Sequence, residues 1–564
     1  MDSSLFYQIT AVLVLAGLIS IIVSLLKQPS IIAFIITGLI VGPFGYVQLE
    51  HKEVLDALGQ IGITLLLFMV GLELDLKRVK QLGKTAVYTG VGHMLVSAAA
   101  GYFLSRFLGF SNTAAWYIAV ALTFSSTVVV VKLLSEKKDM QSLYARITVG
   151  FLIVQDFAAL IILLFLGGSS GSSDVFRALP GWQYLLAVVV KVLIMVLLLT
   201  WVSKKVFPKF LSRFGQSDEL LMIFSLAWAL GLAAFMSLPA VGFSLEVGGF
   251  VAGLALANSQ VHYEISARIK YLRDFFIILF FIVFGTKLAF AGVTAMLLPA
   301  VIFSAFVIIV QPFLMMLIMG YLGYTPRTSF FAAVTTAQVS EFSFVLVALG
   351  SRLGHISDQI LGLVTMVGII TIAASSYMIL YTKPLYRIMH NFLKKFNFKH
   401  GAAEKGLGDE QFKNHIILVG ANRLGSRFLK ELNKDKHRLL IVDFDPHVVL
   451  NYELLGYSAI CGDVADPYIQ EQINLPGARL VISTVPDLDD NLTLLSTVSE
   501  LKKRPKMIFV AQNDFESKYL YEQGVDYVLS PHFIGGLHLA KILEEASTLN
   551  ALKKLRKGHL EAII

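Results

Sequence analysis

The sequence is poor in cysteine and in charge, and both shortages exclude whole classes of protein. A single cysteine, Cys461, occurs among 564 residues, which excludes a disulfide framework and cysteine-based zinc or iron–sulfur sites. Charged residues make up only 15% of the chain, against about 25% in ordinary soluble domains. The N-terminal segment lacks a basic stretch followed by a small-residue cleavage site, so no cleaved signal peptide is predicted. A disordered chain, a coiled coil and a purely soluble enzyme are therefore excluded.

Long apolar runs take the place of charge. Before residue 400, apolar stretches of about 20 residues recur about thirteen times, and this is the length that a helix needs to cross a bilayer. They lie near 5–26, 30–47, 55–74, 85–105, 113–134, 146–168, 183–203, 217–237, 241–258, 272–290, 294–322, 328–350 and 357–381. The pattern predicts a polytopic α-helical membrane protein embedded in a lipid bilayer.

The loop charges predict an orientation. If the N-terminus lies outside, the loops that face the cytoplasm hold most of the lysine and arginine residues of this region. The opposite loops hold only Lys52, Arg106, Arg177, Lys287 and Arg352. Basic residues concentrate in cytoplasmic loops, so we predict an outside N-terminus, a cytoplasmic C-terminus and an odd number of spans. Topology explains the net charge of +8, and no nucleic-acid partner is expected.

The pattern changes near residue 400 and divides the chain. Residues 1–385 form the predicted transmembrane domain, and 386–411 form a charged linker. From 412 to 535, short β-branched runs alternate with helical patterns, which is typical of βαβ units and a parallel sheet. We therefore predict a C-terminal α/β Rossmann-like domain, followed by a helical tail over 536–564.

One carboxylate lies in the middle of a predicted span. Asp156 follows Gln155 within the apolar run GFLIVQDFAALIILLF, and no lysine or arginine occurs beside it. Ionisable residues inside a membrane are costly and usually functional. A carboxyl here can hold a proton or a desolvated monovalent cation, but not readily both. The alternative is a structural carboxylate paired with a buried base.

Two polar stretches interrupt other spans. Thr123, Ser125, Ser126 and Thr127 lie in the fifth span, and the stretch from Thr335 to Glu341 lies in the twelfth. Transporters coordinate ions at unwound helices near the bilayer centre. Because the two spans run in opposite directions, the pair fits an inverted repeat. Serine and threonine are also ordinary packing residues in membrane helices, which remains the alternative.

Several strings occur together in an informative order. They are GLIVGPFG, LLFMVGLEL, TFSSTVVVVKLL, the Gln155–Asp156 pair, GGFVAGLALA, FFIVFGTKL and VSEFSFVLVALG. This set resembles the monovalent cation/proton antiporter superfamily, and within it the Kef-type potassium/proton antiporters. The resemblance implies a homodimer with two crossed broken helices and a potassium ion bound at Asp156. Gln155 stands where electrogenic sodium exchangers have a second aspartate.

The resemblance also extends the predicted ion-binding set. Ser340, Glu341 and Gln311 join it, although Glu341 is interpreted as a cap or helix contact, not as a second carrier. This leaves Asp156 as the predicted lone carboxyl carrier. Many relatives have a lysine where this chain has Gln311, so stoichiometry stays open. A loop predicted from His262 is net basic, which argues against the glutathione gating of some relatives. An ancillary regulatory subunit remains possible.

A glycine motif opens the C-terminal domain. GANRLG at 420–425 follows a predicted strand and begins a helix, with Asn422 in place of the middle glycine of the dinucleotide fingerprint. Asp443 ends the next strand, where an acidic residue bonds a ribose. The alternative is a Rossmann-like domain that no longer binds nucleotide.

This half resembles the regulator-of-potassium-conductance domain. The resemblance implies a nucleotide cleft lined by Gly420, Asn422, Arg423, Leu424, Gly425, Asp443, Asp445, Gly462 and Asp463. Because Asn422 narrows the space beside a pyrophosphate, AMP is favoured, with NAD(H) or ATP as alternatives.

The sequence thus predicts a potassium/proton antiporter of the cell inner membrane, regulated by a cytosolic nucleotide-binding domain. A sodium/proton antiporter is the nearest alternative. A nucleotide-gated potassium channel would need a filter such as TVGYG, and the sequence contains none. An NAD-dependent membrane enzyme is disfavoured because no catalytic acid–base set accompanies the fold, so no enzyme activity is expected.

Overall fold

The computed structural model describes most of the chain. Described are residues 3–42, 52–73, 84–168, 218–393 and 412–545, apart from short gaps, and the isolated residues Val190 and Met195. The gaps are 138, 239–240, 258, 260, 287–292, 422, 432–437, 486 and 502. The predicted span 183–203, most of the predicted linker and most of the predicted tail lie outside the described residues.

The chain divides into two compact units. The first consists of Met1–Met140, Tyr144–Met319 and Ser329–Phe392, and the second of Gln141–Leu143, Gly320–Thr328 and Leu393–Ile564.

The described part of the first unit is helical. The helices that lie wholly or mainly in it are α1 (Ser3–Leu25), α2 (Ser30–Val41), α3 (Lys52–Glu73), α4 (Lys84–Phe107), α5 (Asn112–Thr123), α6 (Thr127–Glu136), α7 (Leu143–Gly168), α8 (Asp218–Met236), α9 (Leu245–Leu256), α10 (His262–Thr286), α11 (Val293–Ala305), α12 (Gln311–Tyr321), α13 (Pro326–Thr335), α14 (Glu341–Arg352), α15 (Asp358–Leu380) and α16 (Thr382–Leu393). Eight described spans are long and apolar enough to cross a membrane. The prediction of a multi-pass helical membrane protein is confirmed.

These helices pack as two bundles. Helices α1–α3 pack with α8–α10, and we call this group the scaffold bundle. Helices α4–α7 and α11–α15 form the core bundle. Glycines allow very close approach inside the scaffold bundle: a Cβ on Gly253 would lie 1.9 Å from the carbonyl oxygen of Phe68. Backbones that touch this closely leave little room for sliding, so the scaffold bundle is built to be rigid.

Two spans of the core bundle are broken where the sequence predicts. Helix α5 ends at Thr123 and α6 begins at Thr127, while α13 ends at Thr335 and α14 begins at Glu341. Serines start both second halves: the Ser126 hydroxyl accepts a hydrogen bond from Val129 N, and the Ser340 hydroxyl accepts one from Phe342 N. Each break is therefore a capped helix start, not a distortion.

The basic segment from His262, predicted as a loop, forms the first half of α10. That prediction was wrong. Ile265 and Ile269 are buried although charged residues surround them in sequence. Their spacing of four residues places them on one helix face, and burying this face extends the helix.

The second unit contains a six-stranded parallel sheet in the order β3-β2-β1-β4-β5-β6. The strands are β1 (His415–Val419), β2 (Leu439–Asp443), β3 (Ser458–Cys461), β4 (Ala478–Ser483), β5 (Lys506–Val510) and β6 (Tyr527–Leu529). The helices are α17 (Arg423–Glu431), α18 (Pro446–Leu454), α19 (Pro467–Gln472), α20 (Leu488–Ser499), α21 (Asp514–Glu522) and α22 (Pro531–Glu545). This confirms the Rossmann-like prediction. The strand order reverses between β1 and β4, the point at which such sheets bind ligands.

A buried histidine makes this unit sensitive to acid. His415 is fully buried on β1, and its Nε2 lies 3.0 Å from the carbonyl oxygen of Ile473. Burial lowers the pKa of His415 and outweighs its backbone hydrogen bonds, which act in the opposite direction. The unfolded chain therefore binds the proton more readily, and stability should fall as pH drops below about 6.5.

This prediction is checked by thermal unfolding of the 405–564 fragment at pH 7.5 and pH 5. His415→Gln should flatten the pH dependence. The matched control His538→Gln changes an exposed histidine and should keep it. Equal pH dependence in both variants would contradict the assignment.

Candidate ion-binding and nucleotide-binding sites

The two broken segments cross and are hydrogen-bonded to each other. The backbone N–H of Ser340 donates to the carbonyl oxygen of Phe124 at 2.9 Å. The Ser125 hydroxyl donates to the carbonyl oxygen of Thr336 at 2.7 Å. The Gln338 amide donates to the carbonyl oxygen of Ser126 at 3.3 Å. Residues distant in sequence thus form one crossing in the core bundle.

Side chains satisfy the carbonyl groups that the break leaves at the end of α5. A helix end that lacks partners for its last carbonyls is costly when buried. Three donors meet this need: Ser343 to Ala121 at 2.5 Å, Gln311 to Leu122 at 2.6 Å and Gln155 to Thr123 at 2.7 Å. The donors come from three other helices, α14, α12 and α7, so the unwound segment is held on several sides.

Gln155 uses both ends of its amide at this break. Its Nε2 donates to the Thr123 carbonyl oxygen, and its Oε1 accepts the backbone N–H of Ser125 at 3.1 Å. The side chain is fully buried. An aspartate here could not donate to a carbonyl, so glutamine is the residue type that fits both partners.

Two carboxylates face this crossing. The Thr127 hydroxyl donates to Oδ2 of Asp156 at 2.8 Å, and the Ser126 hydroxyl donates to Oε1 of Glu341 at 2.8 Å. Their charges are close enough to interact. Helices α6 and α14 both begin at this crossing, and the positive ends of their dipoles stabilise negative charge there. The fold thus brings Glu341, a member of the predicted ion-binding set, to the same crossing as Asp156.

Two predicted ion ligands are engaged elsewhere. The Thr123 hydroxyl donates back to the carbonyl oxygen of Val120 at 2.8 Å. The Gln311 side-chain amide donates to the carbonyl oxygen of Leu122. The backbone carbonyl oxygen of Gln311 lies 3.3 Å from Nε2 of His93. Both side chains therefore stabilise the end of α5.

Sequence reasoning missed Gln338 as a member of this network. Its Oε1 accepts the Ser375 hydroxyl at 2.8 Å, in addition to its bond to Ser126. Gln338 lies inside the polar stretch already noted, so its position was a usable signal. Ser343 and Ser375 gave none, because serines are common in membrane helices.

The glycine loop of the second unit is tightly constrained. Gly420 follows β1 with φ +82°, a conformation that favours glycine. A Cβ on Gly425 would lie 1.9 Å from the carbonyl oxygen of Gly420. The Thr484 hydroxyl donates to the same oxygen at 2.7 Å. The backbone N–H groups that begin α17 therefore lie at the carboxyl end of β1.

Asp443 supports this loop directly. Its Oδ2 accepts the backbone N–H of Ala421 at 2.8 Å, its Oδ1 accepts that of Asp445 at 2.9 Å, and it is buried. Burial and, secondarily, the charge of Asp443 raise the pKa of Tyr452, whose hydroxyl donates to the Ala421 carbonyl oxygen. Asp445, at the start of α18, is less buried.

The remaining predicted residues lie along the same edge of the sheet. Gly462 is buried against Ile469, and Leu424 is half-buried. Oδ1 of Asp463 accepts the backbone N–H of Ala465 at 2.9 Å, and Oδ2 accepts Arg327 of the same compact unit at 2.6 Å. Asn422 and the side chain of Arg423 lie outside the described residues.

An open groove of about 540 Å³ adjoins the loop between α17 and α18. Its lining residues are Ala421, Ser426, Val448, Asn451, Tyr452, Leu454 and Leu455. The groove gives a small planar ligand room beside the glycine loop.

Comparison with known families places both halves. Residues 10–380 match the model of the transmembrane sodium/hydrogen exchanger family, which is more than half of the chain. The chain belongs to the sodium/hydrogen exchanger family. Residues 416–531 match the TrkA-N domain. This exchanger therefore carries a regulatory-type Rossmann domain, as its resemblance to Kef-type proteins implies.

Relatives align with this chain over nearly its full length. The exchanger is 25% identical to YbaL of Escherichia coli K12 over 92% of this chain and 93% of the relative. It is 25% identical to the glutathione-regulated potassium-efflux system protein KefC of Escherichia fergusonii, over 100% of this chain and 87% of the relative. A solved structure, the sodium proton antiporter MjNhaP1 of Methanocaldococcus jannaschii, is 17% identical, covering 68% of this chain and 98% of its own, with a TM-score of 0.45.

Proposed function

We propose that this exchanger is a potassium/proton antiporter regulated by a nucleotide that binds its Rossmann domain. The position of Asp156 carries the proposal. It lies at the crossing of two broken helices, and its carboxylate has a hydroxyl donor on one oxygen. A cation or a proton can neutralise this carboxylate, and each excludes the other by charge.

The surrounding groups determine what Asp156 does. The N-termini of α6 and α14 stabilise its ionised form, which a cation needs. When the cation leaves, a proton replaces it, because an unpaired carboxylate inside a membrane is costly. Movement of the core bundle against the scaffold bundle would then expose the neutralised site to the other side. The cycle exchanges a cation for a proton at Asp156. It needs no covalent step, so we propose no enzyme activity.

Gln155 stands where a double-aspartate site has its second aspartate, which favours potassium. Gln155 is neutral, and its amide is hydrogen-bonded to Thr123 and Ser125. An amide in place of that acid weakens the field at Asp156, and a weaker field favours the cation that loses its water most easily. KefC, the relative named for potassium efflux, is similar along the whole chain. Sodium remains the second candidate, supported by the name of the family model.

We expect faster exchange with potassium and rubidium than with sodium and lithium. The measurement is proton flux in proteoliposomes at equal concentrations of the four cations. Proteoliposomes that contain the Asp156→Asn variant correct for leak. A clear preference for sodium would contradict the potassium assignment and favour the sodium/proton alternative. Potassium flux without proton movement would favour a channel.

The Rossmann edge is proposed to hold AMP or a related nucleotide. Backbone N–H groups at the start of α17 favour a phosphate, since they lack helical partners and lie at the positive end of the helix dipole. Asp443 and Asp445 lie at the end of β2, where a ribose is bound in this fold. NAD(H) and ATP are the alternatives.

Nucleotide should raise the thermal stability of the protein, because a ligand that binds only the folded state stabilises it. The test is a thermal-shift titration with AMP, ATP, NAD and NADH on the intact protein and on the 405–564 fragment. Asp443→Ala should remove most of the shift. Glu522→Ala serves as a control, because it removes an exposed carboxylate at the last residue of α21. No shift with any nucleotide would leave the domain a structural module.

Membrane placement and assembly complete the proposal. The loop charges support an inner-membrane protein with an outside N-terminus and a cytoplasmic Rossmann domain. Helix α22 exposes the large apolar side chains of Phe533 and Leu537, which are 61% and 53% exposed. Such an exposed face supports a homodimer. The predicted ancillary subunit is a further proposal, and light scattering of the purified protein would test the homodimer first.

A further inference from the structure

A buried carboxylate links the two helix bundles at the end that the loop charges predict to lie outside. Glu246 lies in the first turn of α9 in the scaffold bundle and is only 2% exposed. It accepts a hydrogen bond from the guanidinium of Arg352, in the last turn of α14 in the core bundle. The other oxygen, Oε2, is buried and has no hydrogen-bond partner within the described part of the chain. Arg352 is thus the partner that compensates the burial of Glu246.

A cavity beside this ion pair lies between the same two bundles. It has a volume of about 60 Å³ and is lined by α3 and α10 of the scaffold bundle and by α14 and α15 of the core bundle. Its polar lining residues are Asp56, Gln60, Ser351, Arg352 and Asp358, and the Ser351 hydroxyl donates to Asp358 at 2.5 Å. The charge of Asp56 also attracts Arg352. The scaffold bundle therefore presents two carboxylates to Arg352: Glu246, which is hydrogen-bonded to it, and Asp56, which attracts it by charge.

Helix α14 connects this pair to the ion site. It begins at Glu341, in the crossing, and ends at Arg352. A helix of 12 residues is about 18 Å long and moves as a rigid rod. Any displacement of the crossing against the scaffold bundle must therefore move Arg352 away from Glu246. Breaking the pair leaves a carboxylate buried and alone, which is strongly unfavourable.

We propose that the Glu246–Arg352 ion pair is a latch that closes the outer side of the exchanger and opens once in every transport cycle. The inference rests on the proposed antiport by movement of the core bundle. The loop charges place this end outside. The latch sets the equilibrium between the closed conformation seen in the structure and a conformation open to the outside. The cavity beside Arg352 marks where the two bundles separate in the open conformation.

The test uses the full-length protein in right-side-out membrane vesicles, with a reporter cysteine at Gln60→Cys. Cys461→Ser removes the one native cysteine. The rate of reaction with a membrane-impermeant maleimide measures opening to the outside. Glu246→Gln and Arg352→Gln should each raise this rate at least threefold. The swap Glu246→Arg with Arg352→Glu should lower it again below both single variants. Glu264→Gln makes the same chemical change at an exposed first-turn position of α10 and should have no effect.

The outcomes separate the latch from the transport assignment. Rates equal to that of Glu264→Gln in both single variants would overturn the latch, as would a swap variant that stays as reactive as they are. Glu246→Gln leaves no buried charge, because the Arg352 side chain is 35% exposed, so Glu246→Gln should fold even if Arg352→Gln is unstable. The maleimide rate does not depend on which ion is carried. A wild-type protein that exchanges no cation would refute the antiporter and leave this measurement intact.

Discussion

Asp156→Asn is expected to abolish cation-dependent proton movement while the protein still folds. Asparagine keeps the shape of the side chain and can still accept the Thr127 hydroxyl through its carbonyl oxygen. It cannot lose a proton or carry the charge that attracts a cation. Proton flux in proteoliposomes should therefore fall to the level of protein-free liposomes, while the thermal unfolding temperature changes little.

A matched substitution distinguishes this loss from a general effect of removing an acid. Asp274→Asn changes a carboxylate on α10 that is 49% exposed and pairs with neighbouring Arg273. An exposed pair of this kind contributes little to stability, so flux should remain near wild type. Near-normal exchange in Asp156→Asn would refute the assignment and point to Glu341 as the carrier.

Gln155→Leu is expected to produce the second large effect, a loss of transport together with a loss of stability. Leucine is similar in size but has no polar atoms. The carbonyl oxygen of Thr123 and the N–H of Ser125 then lose their partner in a fully buried place. Each unpaired group costs about 1–3 kcal/mol. The crossing should rearrange, which lowers the unfolding temperature and reduces the proton flux at least tenfold.

Gln155→Glu separates the two bonds of this amide. An ionised glutamate retains the acceptor for Ser125 but cannot donate to Thr123 and adds an unpaired buried charge, so it should be less stable than wild type. Gln359→Leu, at an exposed position of α15, is the control and should preserve both flux and stability. A Gln155→Leu variant with wild-type flux would show that the unwound segment does not need this support.

Part of the ion site could be read from local pattern. An aspartate within an apolar run is conspicuous because its burial needs a reason, and hydroxyl-rich stretches in two spans predicted both breaks correctly. Glu341 could also be recognised in the sequence, but its contact with Ser126 could not be predicted. The Ser126–Glu341 bond joins residues 215 positions apart, and no periodicity in either helix encodes that distance.

In the Rossmann domain, too, some features could be predicted from local sequence and some contacts could not. The alternation of strands with helices, the two glycines of the loop and the acid at the end of β2 are local signals, because the central strands β1 and β2 are buried on both faces and the turn after β1 needs a particular backbone. The contacts of Asp443 with Ala421 and of Asp463 with Arg327 were not predictable. They depend on which loops the sheet order brings together at one edge.

Local sequence pattern alone predicted a membrane protein with a Rossmann-like domain, the positions of its broken helices and the acid in the middle of a span. These properties follow from length, hydrophobicity and residue type along a continuous segment. Only the tertiary structure decided that Gln155 supports a backbone break, that Glu341 faces the same crossing as Asp156, and that Glu246 meets Arg352 between two bundles. Hydrogen bonds and ion pairs act over about 3 Å, and only folding brings such distant residues within that range.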